Sequence, residues 1–300
     1  MNPINSNRNL ILVTGASGKF GQAVLKHLIE TLSVPASRIV AASRNPANLA
    51  TWAEKGVVTR ELDFEKPETF NPAFADVERA LLISTDTLDR PGRRLEQHQN
   101  AIKGFAEANV KHVVYTSAPN PEGAPLLIAP DHEGTERALA ASSLSGWTVL
   151  RNHWYFENLF MSLPPALASG KWYTADEGKG SADIARDDLA LAAATVLAGQ
   201  EAGKNVYTLS GAESLTKVEI AAAVSEAVNK PLDVVQVPVQ ALVDGMVHAG
   251  VPEPVAQIFA SFDANTAADR VAEVTGDFEH LTGRKPQPFR DWLAAHKAAL

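Results

Sequence analysis

The chain has 300 residues, of which 45% are hydrophobic and 21% charged, enough to bury a core in one large domain or two smaller ones. Its formal net charge of -8 argues against a nucleic-acid or anionic-membrane surface, since those partners bind clustered lysine and arginine. The lack of cysteine excludes disulfides, thiolate catalysis and cysteine-ligated metals.

The start of the chain, MNPINSNRN, is polar and lacks the charged-then-apolar pattern of a signal peptide. The longest uncharged windows, such as residues 138–150, are shorter than the ~18 apolar residues of a membrane span. Together with the lack of cysteine, these patterns predict a soluble protein of the reducing cytoplasm.

Apolar periodicity predicts an alternation of short strands and helices. The first strand is predicted at 10–14 and the helix after it at 22–32, where apolar residues recur at helical spacing. Further strands are predicted at 39–43, 57–62, 80–84, 112–116 and 148–150. Strands separated by helices of this length form right-handed crossovers, so the sequence predicts an α/β, Rossmann-like, doubly wound parallel sheet.

The pattern changes after Leu150, where an aromatic segment, HWYFENLF, precedes an LPP sequence that predicts a break. KWYTADEGKGSAD predicts a short strand and a glycine-rich loop, and a helix at 185–198 and a strand at 205–209 would return to the sheet. Later residues are mostly helical, with a strand at 234–237 and a closing helix at 288–300. The sequence therefore predicts a Rossmann domain of residues 1–151 and 184–210, and a smaller, mostly helical α/β domain of residues 152–183 and 211–300.

The segment VTGASGKFG has the spacing G-x-x-G-x-x-G between the first strand and the first helix. Gly15 permits a positive φ, Gly18 lets the backbone approach a pyrophosphate, and Gly21 lets the helix pack closely. The helix amino end adds N–H donors and partial positive charge. An ordinary glycine-rich turn is the alternative, but the strand–helix context favours dinucleotide binding. The cofactor-binding residues predicted here are Gly15, Ser17, Gly18, Lys19, Phe20 and Gly21.

Cofactor selectivity depends on the segment AASRNP, which follows the second strand. It lacks the Asp or Glu that binds the ribose 2′-hydroxyl in NAD-selective folds. Arg44 can bind a 2′-phosphate, with Ser43 or Asn45 as neutral partners, whereas a solvated loop arginine is the alternative. The sequence therefore favours NADP(H) over NAD(H).

Three residues at later strand ends are further cofactor candidates. Asp63 ends the third strand, where it could reach the adenine or cap a helix near residues 66–67. Ser84 and Thr85 could line the ribose–pyrophosphate path or cap the next segment.

Common catalytic motifs are missing from the sequence. No tyrosine is followed four residues later by lysine, so the acid–base pair of classical short-chain dehydrogenases is absent. No G-x-S-x-G elbow or H-E-x-x-H motif occurs. The fragment DHEG at 131–134 is interpreted as a helix start capped by Asp131 rather than as a metal site, and no metal is predicted.

Six segments resemble the NmrA-like, atypical short-chain dehydrogenase family, in particular its NADPH-dependent quinone oxidoreductases and triphenylmethane reductases. They are VTGASGKFG, VKHVVYTSA, HEGTERAL, VLRNHWYFENL, DLALAAATVL and AGVPEP, and RNxxY and AGVPEP are the more specific. The resemblance covers most of the chain. It implies NADPH binding by the first domain and hydride transfer to a flat, electron-poor small molecule, such as a quinone, under the C-terminal domain.

Such acceptors take hydride without an enzymic acid, so the predicted task of the protein is to position them and exclude water. Asn152 and Tyr155 are the predicted positioning residues, and Trp154 and Phe156 are expected to pack or to form a pocket wall. His132 and Glu136 share one helix face and are further candidates for positioning the acceptor and binding the cofactor. The resemblance implies that His132 contacts the cofactor ribose or nicotinamide. The alternatives are a surface ion pair for His132 with Glu136, and core packing for Asn152 and Tyr155.

The proline-rich loop at 118–130 is predicted to expose Leu126, Leu127 and Ile128 as a lid, or else to dock immobile. A second functional hypothesis is a regulator that senses NADP(H) without catalysis and contacts a protein partner. A sugar-nucleotide epimerase is disfavoured by the missing Tyr-x-x-x-Lys pair. A homodimer is left open.

Overall fold

The computed structural model describes residues 9–200 and 202–300. Their strands are β1 Leu10–Val13, β2 Ile39–Ser43, β3 Val58–Glu61, β4 Val77–Leu82, β5 His112–Ser117, β6 Gly146–Asn152, β7 Lys171–Thr174, β8 Gly180–Ser181, β9 Lys204–Leu209, β10 Leu215–Thr216 and β11 Asp233–Gln236. Their α-helices are α1 Lys19–Lys26, α2 Ala50–Glu54, α3 Phe70–Phe74, α4 Arg93–Glu107, α5 Ala129–Ala141, α6 Leu159–Ser169, α7 Arg186–Ala198, α8 Lys217–Val228, α9 Val239–His248, α10 Glu253–Ala267, α11 Asp277–Thr282 and α12 Phe289–His296.

The described residues form two compact units. The first unit comprises residues 9–117, 131–151, 189–200 and 202–207. The second comprises residues 118–130, 152–188 and 208–300. None of the described helices is both long and apolar enough to cross a membrane.

The first unit is built on a seven-stranded sheet with the order β3-β2-β1-β4-β5-β6-β9. The pairs from β3 to β6 are parallel, which confirms the predicted Rossmann-like sheet. The sequence order reverses between β1 and β4, the position at which such sheets bind ligands beyond their carboxyl ends. Strands β1 and β2 are buried along their whole length, as expected for a parallel sheet covered by helices on both faces.

The second unit packs around a cluster of buried apolar residues, here called the aromatic cluster, contributed by residues 156–158, α6, β7, α8 and α12. The ring of Phe156 lies 5.3 Å from that of Phe289 and 5.4 Å from that of Trp292, between ring centroids. Trp172 of β7 is buried in the same cluster. Two small sheets complete the unit, β7 paired in parallel with β11 and β8 paired antiparallel with β10.

The predicted break at LPP is wrong. Pro164 and Pro165 lie inside α6. Leu159, Leu163 and Ala166 of this helix are buried at helical spacing in the aromatic cluster. The free energy gained by burying this face outweighs the cost of losing the two backbone hydrogen bonds that the prolines cannot make.

The predicted cap at Asp131 is also wrong. Helix α5 begins at Ala129, because the preceding turn, closed by the Ala129 N–H to Leu126 carbonyl bond of 2.9 Å, leads directly into it. Asp131 therefore lies in the first helical turn, where its carboxylate is 3.8 Å from the Arg94 guanidinium.

The loop at 118–130 is docked rather than open. Leu126 is 3% exposed and packs in a small cluster with Ala118, Ala129 and Phe262. The Leu127 N–H donates to Ser261 at 3.1 Å, and the Asn120 amide donates to the Arg270 carbonyl at 2.9 Å. Only Leu127 of the three predicted apolar residues is highly exposed, so the structure favours the docked alternative over the lid.

Candidate cofactor and acceptor sites

The glycine-rich turn follows β1 at the carboxyl edge of the sheet. Gly15 adopts a φ of +56°, the left-handed conformation that favours glycine. Its carbonyl accepts the Gly18 N–H at 3.0 Å, and Gly18 caps α1. The first intrahelical bond runs from the Gln22 N–H to the Gly18 carbonyl, so the preceding N–H groups of the helix point beyond its end. The turn thus presents donors at an exposed surface.

Close packing of helix on turn explains Gly21. A Cβ there would lie 2.5 Å from the Gly15 carbonyl oxygen and 2.8 Å from the Ala16 Cα. Gly15, Ser17, Gly18 and Lys19 are exposed, whereas Phe20 is buried. Apart from the Lys19 side chain, the exposed face therefore consists of backbone and small side chains, which is the surface that a pyrophosphate needs.

Arg44 follows β2 and is exposed, and it makes no ion pair with a described residue. The nearby Glu65 is already bound by two donors of Arg93, Nε at 2.6 Å and Nη2 at 2.8 Å. Of the two neutral partners predicted for Arg44, Ser43 is bonded to the Ser17 hydroxyl at 3.0 Å, and Asn45 accepts the Ala47 N–H at 3.1 Å. Arg44 is therefore available to bind an anion.

Asp63, Ser84 and Thr85 lie at the ends of β3 and β4 and cap no helix. Asp63 instead accepts the Glu65 N–H at 3.0 Å within a turn. The Ser84 N–H donates to the Thr116 hydroxyl at 2.8 Å, which ties the ends of β4 and β5 together. Helix α4, the next helix after Ser84 and Thr85, is capped by Gly92.

A buried polar network holds the segment after β4. The Thr85 N–H donates to Nε2 of His98 at 3.0 Å, and Nδ1 of His98 bonds the Thr135 hydroxyl at 2.9 Å. His98 is therefore neutral with its proton on Nδ1. Burial lowers the pKa of His98 to about 3, with the charge of Arg94 acting in the same direction.

His132 belongs to the same network. Its Nδ1 lies 2.9 Å from the Tyr115 hydroxyl, and its Nε2 lies 3.4 Å from the Arg94 guanidinium. The side chain is 4% exposed, and burial holds the pKa of His132 well below its usual value, followed in effect by Arg94 and His98. His132 is therefore a neutral imidazole.

Glu136 lies one helical turn further along α5. Its carboxylate binds the Arg151 guanidinium at 2.6 Å and accepts the Ser117 hydroxyl at 2.6 Å. This links α5 to the carboxyl ends of β5 and β6. Glu136 does not pair with His132, so the surface ion pair considered for these two residues is wrong.

Asn152 and Tyr155 lie in the second unit. Asn152 is the last residue of β6 and is buried, with its amide making no hydrogen bond of good geometry to the described residues. The Tyr155 ring lies 5.5 Å from the Arg186 guanidinium. Burial raises the pKa of Tyr155 to about 12, against the charge of Arg186 and the nearby Asn152 amide.

The second unit contains a cavity of about 720 Å³. Trp154 lines it, with its ring centroid 3.8 Å from that of Phe262. Apolar lining residues include Leu159, Leu242, Met246, Val251 and Phe259. Polar lining residues include Asp176, Ser181, Asp183, Lys217, Asp263 and Asn265. Its size is within the range of ligand pockets, and its apolar walls suit an aromatic ligand.

Sequence reasoning missed several polar residues in each unit. In the first unit these are Arg94, His98, Tyr115 and Ser117, which join helices to strand ends far away in sequence. In the second unit these are Asp183, Lys217 and Asp263. The sequence offers one indication of them: the segment KWYTADEGKGSAD, predicted as a strand and a glycine-rich loop, ends at Asp183.

Comparison with known proteins agrees with this architecture. Residues 15–200 match the model of a family described as NAD(P)H-binding. Quinone oxidoreductase 2 of Escherichia coli K12 is 34% identical over 276 residues, covering 91% of this chain and 94% of that protein.

Two solved structures are also similar. An NADPH-dependent quinone oxidoreductase from Escherichia coli, complexed with NADPH, has a TM-score of 0.90 at 31% identity, covering 95% of this chain and 99% of the other. The Citrobacter sp. triphenylmethane reductase complexed with NADP(H) has a TM-score of 0.88 at 33% identity, covering 97% and 100%. These matches confirm the resemblance, and the chain belongs to the NAD(P)H-binding family.

Proposed function

We propose that this member of the NAD(P)H-binding family transfers hydride from NADPH to a quinone or a similar flat, electron-poor acceptor. The chain is an NAD(P)H-dependent oxidoreductase, as its quinone-reducing relatives support. The identity of the acceptor and the residues that bind it and the cofactor are the parts that we propose.

The geometry of the glycine-rich turn is the observation that supports NADPH binding. A Cβ at Gly21 would overlap the Gly15 carbonyl, and the exposed Gly15, Ser17, Gly18 and Lys19 leave the amino end of α1 open to a diphosphate. Arg44 would bind the 2′-phosphate, since it is exposed and forms no ion pair with a described residue. Bound NADPH would supply the hydride.

The remaining predicted contacts follow the sheet edge. Asp63 would approach the adenine, and Ser84 and Thr85 the ribose–pyrophosphate path. Glu136 would hold Arg151 and Ser117 in place at the strand ends. His132 stays a predicted cofactor contact, and it would exchange its bond to Tyr115 or Arg94 for one to the cofactor.

The acceptor would bind in the cavity of the second unit, between the apolar side chains of α9 and α10 and the Trp154 ring. Asn152 and Tyr155 stay predicted positioning residues; their neighbour Trp154, rather than either of them, lines the cavity. A cavity of about 720 Å³ accepts a multi-ring molecule, which supports a flat aromatic acceptor over a small alcohol. The cytoplasmic location and a homodimer stay predictions.

Oxidation of NADPH by 1,4-naphthoquinone, followed anaerobically by NADPH absorbance, tests the proposal. The chain contains no cysteine, so the quinone cannot inactivate it by alkylating a thiol. We expect saturable turnover well above the rate without protein. Tight NADPH binding without turnover of a quinone, nitroarene or dye would instead favour the non-catalytic NADP(H)-sensing regulator.

A further inference from the structure

Three carboxyl groups line the cavity of the second unit, those of Asp176, Asp183 and Asp263. Lys217 is the cation that lies among them, with its side chain 23% exposed. Lys171 and Lys179 also line the cavity but are exposed to solvent. The three acids therefore lie near one partly buried cation, and they differ in how closely that cation contacts them.

Two of the acids each accept bonds from at least two donors. Asp263 accepts bonds from Lys217 at 2.5 Å, from the Thr174 hydroxyl at 2.7 Å and from the Ala175 N–H at 2.8 Å. Asp176 accepts the Gln236 amide at 2.7 Å and the Gly178 N–H at 3.0 Å, with Lys217 at 3.7 Å. Lys217 is therefore engaged by these two acids.

Asp183 accepts fewer hydrogen bonds than the other two acids. Its carboxyl group bonds the Ser181 hydroxyl, which also lines the cavity, and it makes no ion pair with a described residue. It is surrounded by protein but keeps part of its surface open to the cavity. Burial raises the pKa of Asp183 to about 6, and Asp263 adds to this effect, whereas Ser181 and Lys217 oppose it. The group is therefore a carboxylic acid over the mildly acidic range.

The backbone fixes Asp183 beside the predicted positioning residues. Ile184, the next residue, donates its N–H to the Trp154 carbonyl at 3.0 Å and accepts the Phe156 N–H at 3.0 Å, on either side of Tyr155. Gly211 packs so closely on the Asp183 carbonyl that a Cβ there would lie 1.9 Å from its oxygen. Asp183 thus has a set position next to the RNxxY segment, on the wall of the cavity.

We propose that Asp183 is the proton donor to a quinone in this cavity, in the role that the missing Tyr-x-x-x-Lys pair would fill and in place of the acid-free transfer expected from the sequence. This inference rests on the proposed hydride transfer to a quinone. A quinone that gains a hydride from NADPH becomes a hydroquinone monoanion. The O–H bond of the Asp183 carboxyl then breaks, a new O–H bond forms at the quinone oxygen, and the Asp183 carboxylate regains its proton from water. The balance is quinone, NADPH and one proton giving hydroquinone and NADP⁺.

The test compares two acceptors in wild-type protein, Asp183→Asn and the matched control Glu177→Gln. Glu177 is an exposed acid on the same glycine-rich loop. Naphthoquinone reduction consumes a proton, whereas a triarylmethyl cation becomes a neutral product on gaining hydride and needs none. We expect Asp183→Asn to lower kcat for the quinone by at least about tenfold at pH 6 and to leave kcat for the cation within about twofold. Glu177→Gln should match the wild type with both acceptors.

The pH profile gives a second measurement that does not depend on the variant. In the wild type, kcat/KM for the quinone should fall as pH rises through about 6, while Asp183 loses its proton. The groups that face it, Lys217 and Asp263, remain in place in Asp183→Asn, whose profile should be flat. Without any cofactor, the urea midpoint of Asp183→Asn should rise relative to that of the wild type as the pH increases from about 4 to about 6 and stay level above that, because only the wild type loses stability when this buried acid ionises.

The outcomes separate this inference from the proposed function. Turnover of neither acceptor by the wild type would overturn both. Wild-type rates and an unchanged pH profile in Asp183→Asn would overturn the proton donor alone. Equal losses with quinone and cation would also overturn it, since they would show that Asp183 acts on binding or structure.

Discussion

A Cβ on Gly21 would lie 2.5 Å from the carbonyl oxygen of Gly15, so α1 rests directly on the turn that precedes it. The same carbonyl accepts the Gly18 N–H, which shapes the exposed end of the helix. The turn and the helix are therefore one packed element, and its donors are oriented before any ligand binds.

Gly21→Ala should damage both folding and cofactor binding. The added methyl group meets backbone atoms that cannot rotate away, so we expect a loss of about 1–3 kcal/mol in the free energy of unfolding by urea. NADPH affinity should fall as well, because the turn must shift. Gly276→Ala is the control, since nothing lies within 4 Å of a Cβ at that position. Equal stability of the two variants would contradict the packing argument.

Arg44→Asp should separate the two cofactors. We expect NADPH affinity to fall by about 1–3 kcal/mol more than NADH affinity, the value of a charged hydrogen bond to the 2′-phosphate. Calorimetric titration with both nucleotides measures the difference. Arg137→Asp makes the same change of charge at another exposed arginine and should leave both affinities alone. Equal losses of both affinities in Arg44→Asp would remove Arg44 from the 2′-phosphate role.

Buried neutral histidines should make the fold sensitive to acid. Burial lowers the pKa of His98 to about 3 and the pKa values of His112 and His153 to about 4. The unfolded chain binds these protons near pH 6.5 and the folded chain does not, so stability is lost as pH falls from about 6.5 towards 4. Each histidine contributes about 2 kcal/mol of that loss at pH 5.

His112→Gln tests this dependence, because glutamine can keep the bond that His112 makes to Thr148 at 2.9 Å. Urea unfolding between pH 7 and pH 5 should show a smaller loss of stability in this variant than in the wild type. His248→Gln, at an exposed position, should follow the wild-type curve. A wild-type slope in His112→Gln would argue that the histidine is not buried in its neutral form.

The pair of Glu136 and Arg151 should couple more strongly than a surface pair. The two side chains are 13% and 17% exposed, so solvent screens their 2.6 Å contact weakly. A double-mutant cycle with Glu136→Gln and Arg151→Met should give about 1–3 kcal/mol of coupling in unfolding free energy. The same cycle on Glu226 and Arg290, which are 72% and 69% exposed, should give under about 1 kcal/mol. Similar values for both pairs would mean that Glu136 does not hold the strand ends together.

The sheet could be predicted from sequence because its inner strands, such as β1 and β2, are apolar and buried along their whole length. The predicted strand at 39–43 has the observed bounds of β2. Strand β6 extends beyond the predicted 148–150, since Arg151 and Asn152 continue the strand with polar side chains. The helix predicted at 22–32 starts earlier, at Lys19, and ends in a π-helical turn at His27–Thr31.

The polar contacts of the site could not be predicted in the same way. Glu136 and Arg151, or Asp263 and Lys217, are far apart in sequence, and no local pattern indicates which acid binds which base. The helix break predicted at the two prolines was wrong for a related reason. The residues that cover the buried face of α6 come from other elements of the second unit. Local periodicity predicts elements, whereas tertiary packing decides ionisation and hydrogen-bond partners.

Titration of the purified chain with NADPH, followed by calorimetry and compared with the Gly21→Ala variant, tests the central claim most directly. We predict that the wild type binds one NADPH per chain and that Gly21→Ala binds it much more weakly. Folded wild-type protein that takes up neither NADPH nor any other nicotinamide nucleotide would contradict the account.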